Sequence, residues 1–253
     1  MASVQKLLGQ IQDALRHHSE WLGLDASKPQ RILDYGCGNG TVSTALLNSF
    51  PLAIFRGLDN LDPQTELYNE EAFKLLGPNH QDRMSALTGD LHDTSKTPIL
   101  DDPEWFGFDS LITSFALHHF DDPICSLALL KARVKPGGTV VVVDWLKKEE
   151  EEGDNDEVAE GPAVVGRGES QMVGTDRAGT GKRRKYNPEN MMPVPMGRIW
   201  PGFSLRDIRE DCETTGLTDV NVRIWPEEIE LPRMATFGGR VTMYISKATV
   251  PLS

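Results

Sequence analysis

Three glycines at alternate positions, Gly36, Gly38 and Gly40, follow the apolar pair Ile32-Leu33 and the acid Asp34. Glycine is required where a backbone turns tightly and a ligand must lie against it without Cβ interference. A helix starting after Gly40 would offer free N–H groups suited to a carboxylate. A dinucleotide fingerprint, G-x-G-x-x-G, would place its third glycine at position 41; that residue is Thr41, so the spacing disfavours NAD or FAD. The glycines alone would also suit an ordinary strand-to-helix turn. Two more acids weigh against that simpler account. Asp59, roughly 20 residues further on, can accept from both hydroxyls of a ribose. Asp90 can accept from the exocyclic amine of a base.

A second group of candidates is the pair His118-His119, within Phe115-Ala116-Leu117-His118-His119-Phe120, together with Asp144. Imidazole titrates near neutral pH, which suits a general base for a phenol or alcohol. Turn-shaping is the competing role for the histidines, and capping a loop is the competing role for Asp144.

These residues form one site only if they leave the same edge of one sheet. Val4, Leu7, Leu8, Ile11 and Leu15 recur at helical spacing near the N-terminus. Strand patterns cover residues 31–35, 53–58, 84–88, 108–114 and 139–143, and helical patterns cover 41–47, 66–76 and 123–133. The run Val140-Val141-Val142-Val143 is the strongest strand, as expected of one buried on both faces. Lys135-Pro136-Gly137-Gly138 stops the helix before it. Ser204 caps a helix lined by Leu205, Ile208 and Cys212 that stops at Gly216, and 220–224 and 241–248 are the last two strands. Such alternation predicts βαβ units and a parallel sheet. In sheets of that kind the ligand crevice lies at the carboxyl ends of the strands, where Asp34, Asp59 and Asp90 all fall.

The expected organisation is a single domain, 1–253, with an N-terminal helical cap at 1–26 and a charged lid or insertion at 147–190. The insertion holds Glu149-Glu150-Glu151-Glu152 and Lys182-Arg183-Arg184-Lys185 and has no periodicity. It leaves from the end of the valine strand, so it starts over the crevice. Trp145, Met192, Met196, Trp200 and Phe203 are candidates to line an acceptor pocket, because methionines conform to irregular apolar ligands. The same residues could equally pack the insertion onto the domain.

Against 26 Lys and Arg stand 38 Asp and Glu, a formal charge of -12, which repels phosphate backbones and makes nucleic acid an unexpected partner. Three scattered cysteines without a C-x-x-C pair argue against a disulfide framework and against a zinc site; no metal is expected. No stretch reads as a membrane span or signal peptide, and the expected compartment is the cytoplasm. The basic tetrad at 182–185 is a weak nuclear signal. Oligomeric state is not readable.

The run from Arg31 to Asp144 resembles the small-molecule class I S-adenosylmethionine-dependent methyltransferases, particularly the group with the ubiquinone and menaquinone biosynthesis enzymes. The resemblance is carried by residues 33–40, Gly89-Asp90-Leu91, 116–123 and Val134-Lys135-Pro136-Gly137-Gly138. It implies a Rossmann-like, doubly wound, mostly parallel seven-stranded sheet with an antiparallel edge hairpin and helices on both faces. It implies that Asp34, Gly36, Cys37, Gly38 and Gly40 cradle the methionine moiety, Asp59 and Asn60 the ribose, and Asp90 and Leu91 the adenine. Ser114 would end its strand beside the transferred methyl group. Group members with different acceptors carry a similar Leu-His-His stretch, which implies a packing role for His118 and leaves both roles open for His119.

The activity implied is in-line transfer of a methyl group to a small, apolar or aromatic metabolite, releasing S-adenosylhomocysteine. Two other accounts stay open. One is a protein that binds S-adenosylmethionine or its product but catalyses a non-methylating reaction. The other is a regulatory interaction protein whose charged insertion recruits partners.

Overall fold

The computed structural model describes residues 2–147, 200–231 and 239–252. Met192, Met196, the tetrad 182–185 and all of the expected insertion except Lys147 lie outside the described residues. The strands are β1 (Gln30–Tyr35), β2 (Ala53–Asp59), β3 (Met84–Thr88), β4 (Phe108–Ser114), β5 (Val134–Trp145), β6 (Thr218–Leu231) and β7 (Gly239–Thr249). The helices are α1 (Ala2–His17), α2 (Thr41–Leu46), α3 (Asp62–Leu76), α4 (Pro123–Arg133) and α5 (Leu205–Thr214).

The valine run makes the centre of β5, and its pleat explains why every residue there is apolar. Val141 and Val143 pack into one core with α1, α2 and α3, while Val140 and Val142 face the other core with α4 and α5. Both cores need an apolar partner from the same strand, so no polar alternation survives. The seven strands lie in the order β3-β2-β1-β4-β5-β7-β6. The first five are parallel, and β7 runs antiparallel to both β5 and β6. The chain winds outward from β1 to β3, returns to β4 beside β1, then winds the other way. The switch point between β1 and β4 is where open α/β sheets leave a crevice.

Three elements depart from the expected bounds. Helix α3 starts at Asp62 rather than 66, with proline in its first turn, where the missing N–H has no intrahelical partner to lose. Strand β5 starts at Val134, directly after α4. Strand β6 continues to Leu231, with a register shift between Ile224 and Glu228. That shift spans Trp225-Pro226, and β6 is an edge strand, where a missing ladder donor is tolerated. Helix α1 buries Leu7, Ile11, Ala14 and Leu15 and packs against α2 and β6. Ser204 caps α5 reciprocally: its hydroxyl accepts from the Asp207 N–H, and Asp207 accepts from the Ser204 N–H, each at 3.0 Å. Among the described residues, no helix is long and apolar enough to cross a membrane, and no side-chain cluster is arranged for a metal ion.

Candidate cofactor and acceptor site

Buried Ile32 and Leu33 carry β1 into the glycine loop, where Gly36, Gly38 and Gly40 all have left-handed backbone, φ 68°, 50° and 87°. A Cβ on Gly36 would lie 2.6 Å from the Ala116 Cβ, so glycine is needed there for close approach as well as for φ. A Cβ on Gly38 would meet nothing nearer than the Gln64 Oε1 at 3.7 Å, so the loop is open on that side. The loop is tied to β2 through the Gly36 and Cys37 N–H groups, which donate to the Leu58 carbonyl at 2.8 and 3.2 Å.

Asp34 lies beneath this loop and is fully buried. Its Oδ2 accepts from the Ser43 hydroxyl at 2.8 Å and the Ser43 N–H at 3.3 Å, and Ser43 Oγ accepts from the Tyr68 hydroxyl at 2.8 Å. Its Oδ1 has no hydrogen-bond partner among the described residues. Burial pushes the carboxyl up to about 7 against the Ser43 hydrogen bonds, and the Asp59 charge adds to the rise. The Cys37 thiol is pushed well above its ordinary value by burial, then by the charges of Asp34 and Asp59, so it is no thiolate nucleophile.

Asp59, at the end of β2, accepts the Gly38 N–H on Oδ2 and the Leu61 N–H on Oδ1, each at 3.0 Å. Asn60 follows it in an exposed position. Asp90 lies two residues past β3, with Leu91 buried beside it in the second core. Burial would raise the Asp90 carboxyl, but hydrogen bonds from His92, its nearby charge and the Tyr35 hydroxyl outweigh it and hold the group at about 2.

On the other side of the switch point, half-buried Ser114 closes β4 in register with Val143. The next residue, Phe115, has φ 52°, a left-handed backbone in a non-glycine residue. Such a conformation costs about 1–3 kcal/mol and persists where surroundings enforce it. Here the Phe115 N–H donates to the Val143 carbonyl at 2.8 Å, and its ring packs 5.5 Å from that of Trp145. Nothing in the type or spacing of Phe115 announces a left-handed residue.

His118 Nδ1 lies 3.1 Å from both oxygens of the fully buried Asp144 carboxylate, and the His118 N–H donates to Oδ2 at 3.3 Å. The His118 ring lies between Trp145, with centroids 3.9 Å apart, and His119, at 4.0 Å. His119 is exposed; partial desolvation, then the neighbouring His118, lowers its pKa, which favours the neutral ring. Trp200 holds this turn from outside: its backbone N–H donates to the His118 carbonyl and its indole N–H to the Phe120 carbonyl, each at 2.8 Å. Phe203 buries its ring in the second core and exchanges backbone hydrogen bonds with Trp145 and Lys147 at 3.2 and 3.0 Å. The structure therefore brings Trp145 against His118 by its ring, joins Trp200 to the histidine turn by both its backbone and indole N–H groups, and joins Phe203 to the end of β5 through backbone.

The family model described as a methyltransferase domain matches residues 7–222. An uncharacterized methyltransferase of Schizosaccharomyces pombe is 33% identical over 116 residues, covering 45% of this chain and 39% of that protein. An uncharacterized methyltransferase of Mycobacterium tuberculosis is 31% identical over 129 residues, covering 49% of this chain and 56% of that protein. The chain thus spans about half the length of the curated relatives it matches. Among solved structures, the YcgJ protein from Bacillus subtilis aligns with a TM-score of 0.58 at 15% identity, covering 97% of this chain and 98% of that one. Phosphoethanolamine N-methyltransferase 2 of Haemonchus contortus, solved in complex with S-adenosyl-L-methionine, aligns with a TM-score of 0.57 at 13% identity, covering 95% of this chain and 53% of that one. At such identities the likeness shows the fold.

Proposed function

This chain belongs to the methyltransferase domain family, with the class I, S-adenosylmethionine-dependent fold, and on that premise we propose that it transfers a methyl group from S-adenosylmethionine to a small apolar or aromatic metabolite. The residues present fit such a donor. The loop is open beside Gly38, and the orphaned Oδ1 of Asp34 offers a buried acceptor for positive charge. When bound, the sulfonium supplies a methyl carbon already activated for displacement, so the leaving group needs no acid.

In this reading the loop from Gly36 to Gly40, Cys37 included, backs the amino-acid end of the donor, with Asp34 beneath it. Asp59 and Asn60 take the ribose hydroxyls, and Asp90 and Leu91 the adenine. Ser114 and Phe115 would hold the methyl-bearing end of the donor. Alignment and exclusion of water are then the main catalytic contribution, worth about 7–11 kcal/mol in favourable cases. Where the acceptor is a phenol or alcohol, its proton passes to His118 Nε2. Asp144 holds the Nδ1–H tautomer that leaves this lone pair free, and His119 stands beside it as the second candidate base. Trp145, Trp200 and Phe203, with Met192 and Met196, shape the acceptor side. The chain works as one domain, with α1 within the cap, on a small molecule and in the cytoplasm.

The observation that carries the proposal is the contact between the loop and the histidine turn, so close that Gly36 has no room for a Cβ against Ala116. Donor cradle and proton acceptor are therefore adjacent. The test is incubation with methyl-labelled S-adenosylmethionine and a fractionated metabolite extract. Label in a small apolar product from the wild type, and roughly 5- to 150-fold less from Asp59→Ala at subsaturating donor, supports the proposal. Consumption of the donor without methyl transfer contradicts it.

A further inference from the structure

Tyr35 is the last residue of β1, buried in the second core, yet its hydroxyl reaches across two strand exits to donate to Asp90 Oδ1 at 3.0 Å. His92 supplies two more donors to the same oxygen, its backbone N–H at 2.9 Å and its Nδ1 at 3.0 Å. All three fall on Oδ1, and no donor among the described residues falls on Oδ2. The terminal torsion of an aspartate is broad and roughly two-fold. Three donors on one oxygen fix it and leave the second oxygen as the acceptor offered outward.

His92 is itself held. Its Nε2 lies 2.9 Å from Ser126 Oγ, whose hydroxyl donates to the Asp122 carbonyl at 2.8 Å. Ser126 therefore presents a lone pair, and both ring nitrogens of His92 face acceptors. Phe120, at the end of the histidine turn, packs against both partners, with centroids 5.5 Å from Tyr35 and 5.7 Å from His92. The orientation of one carboxylate is thus set jointly by β1, α4 and the turn that carries His118.

We propose that Tyr35 and His92 are positioning residues that aim Asp90 Oδ2 at the exocyclic amine of the cofactor's adenine, and so select a 6-amino purine over a 6-oxo purine. The inference rests on the cofactor reading above. An ionised carboxylate only accepts hydrogen bonds, so it pairs with an amine and is left facing another acceptor by a 6-carbonyl.

The test is calorimetric titration with S-adenosylhomocysteine and S-inosylhomocysteine, which differ only in the 6-substituent and in the proton that the 6-oxo ring carries on N1. The wild type should prefer the adenosyl ligand by roughly 10- to 100-fold, the penalty of leaving a charged acceptor unpaired. Tyr35→Phe should shrink this ratio by roughly threefold to tenfold, the worth of one hydrogen bond, with inosyl affinity unchanged. His92→Ala should do the same, and His92→Asn, whose amide nitrogen sits near the Nδ1 position, should restore the ratio. An equal fall for both ligands would mean a packing role only and overturn the inference. Unchanged ratios in Tyr35→Phe and His92→Ala would also overturn it, while leaving the cofactor reading intact. A wild type that binds neither ligand, or both equally, removes the adenine site and this inference with it.

Discussion

His118 Nδ1 sits 3.1 Å from each oxygen of a carboxylate, Asp144, that has no exposed surface. A buried carboxylate in that place keeps the imidazole proton on Nδ1 and orients the ring. In the proposed mechanism this leaves Nε2 to accept the proton and distinguishes His118 from exposed His119, whose ring lies 4.0 Å away.

For a hydroxyl acceptor, His118→Gln is therefore expected to lower kcat by about 100- to 10,000-fold. Asp144→Asn should approach that loss with KM nearly unchanged, because an amide can turn its N–H₂ toward Nδ1 and move the proton to Nε2. His119→Ala should lower kcat by about tenfold at most, the proton being taken elsewhere. Steady-state kinetics of the three variants check this. A larger loss in His119→Ala than in His118→Gln would reverse the assignment.

Asp59→Ala removes the acceptor of the Gly38 and Leu61 N–H groups as well as the proposed ribose partner. Donor binding should weaken by about 1–3 kcal/mol, the range for leaving buried polar partners unpaired. Unchanged calorimetric affinity would remove Asp59 from the site.

Gly36→Ala places a methyl group 2.6 Å from the Ala116 Cβ at a φ of 68°. The left-handed backbone and the overpacking together should destabilise the fold by about 2–4 kcal/mol. Scanning calorimetry should show this as a fall in Tm of roughly 5–15 °C. A Tm within 2 °C of wild type would mean, at roughly 2–4 °C per kcal/mol, that the loop and the histidine turn are not in close contact.

Asp34 gives a pH signature. Its folded pKa is raised, by burial first, from 3.8 to about 7. An acid whose folded pKa is raised contributes stability that is fully present below pH 3.8 and is lost as pH rises through about 7. The stability of the wild type relative to Asp34→Asn should therefore fall between about pH 4 and pH 7 in the absence of ligand. Binding a sulfonium favours the ionised form, so donor binding near pH 6 should release protons, visible as heats that depend on buffer ionisation enthalpy. Parallel stability profiles for the two proteins would show that Asp34 is not desolvated as described.

The βα alternation was legible because β1, β4 and β5 are buried on both faces and read as apolar runs bounded by turn residues. The glycine spacing and the acids at the ends of β2 and β3 were legible for the same reason: each follows directly on a recognisable strand. The far part of β6 was not, because Pro226 resembles a strand terminator and only the edge position and register shift make it tolerable. Periodicity places Asp34 at the crevice edge but does not show that it turns inward to Ser43, nine residues away, once α2 has folded back over the loop. Nor could it show Tyr35 reaching Asp90, 55 residues distant, since that pairing exists only when β1 and β3 share one sheet. The type of Trp200 suggests a lining residue but does not show that its indole N–H bonds the Phe120 carbonyl, a pairing that exists only in the folded chain.

The most direct measurement is titration of the purified, folded chain with S-adenosylmethionine, followed by calorimetry and by the shift in Tm. Saturable heat with one site per chain, and a Tm that rises with donor concentration, is the result the account predicts. No heat and no shift at millimolar donor would contradict it, whatever the fold resembles.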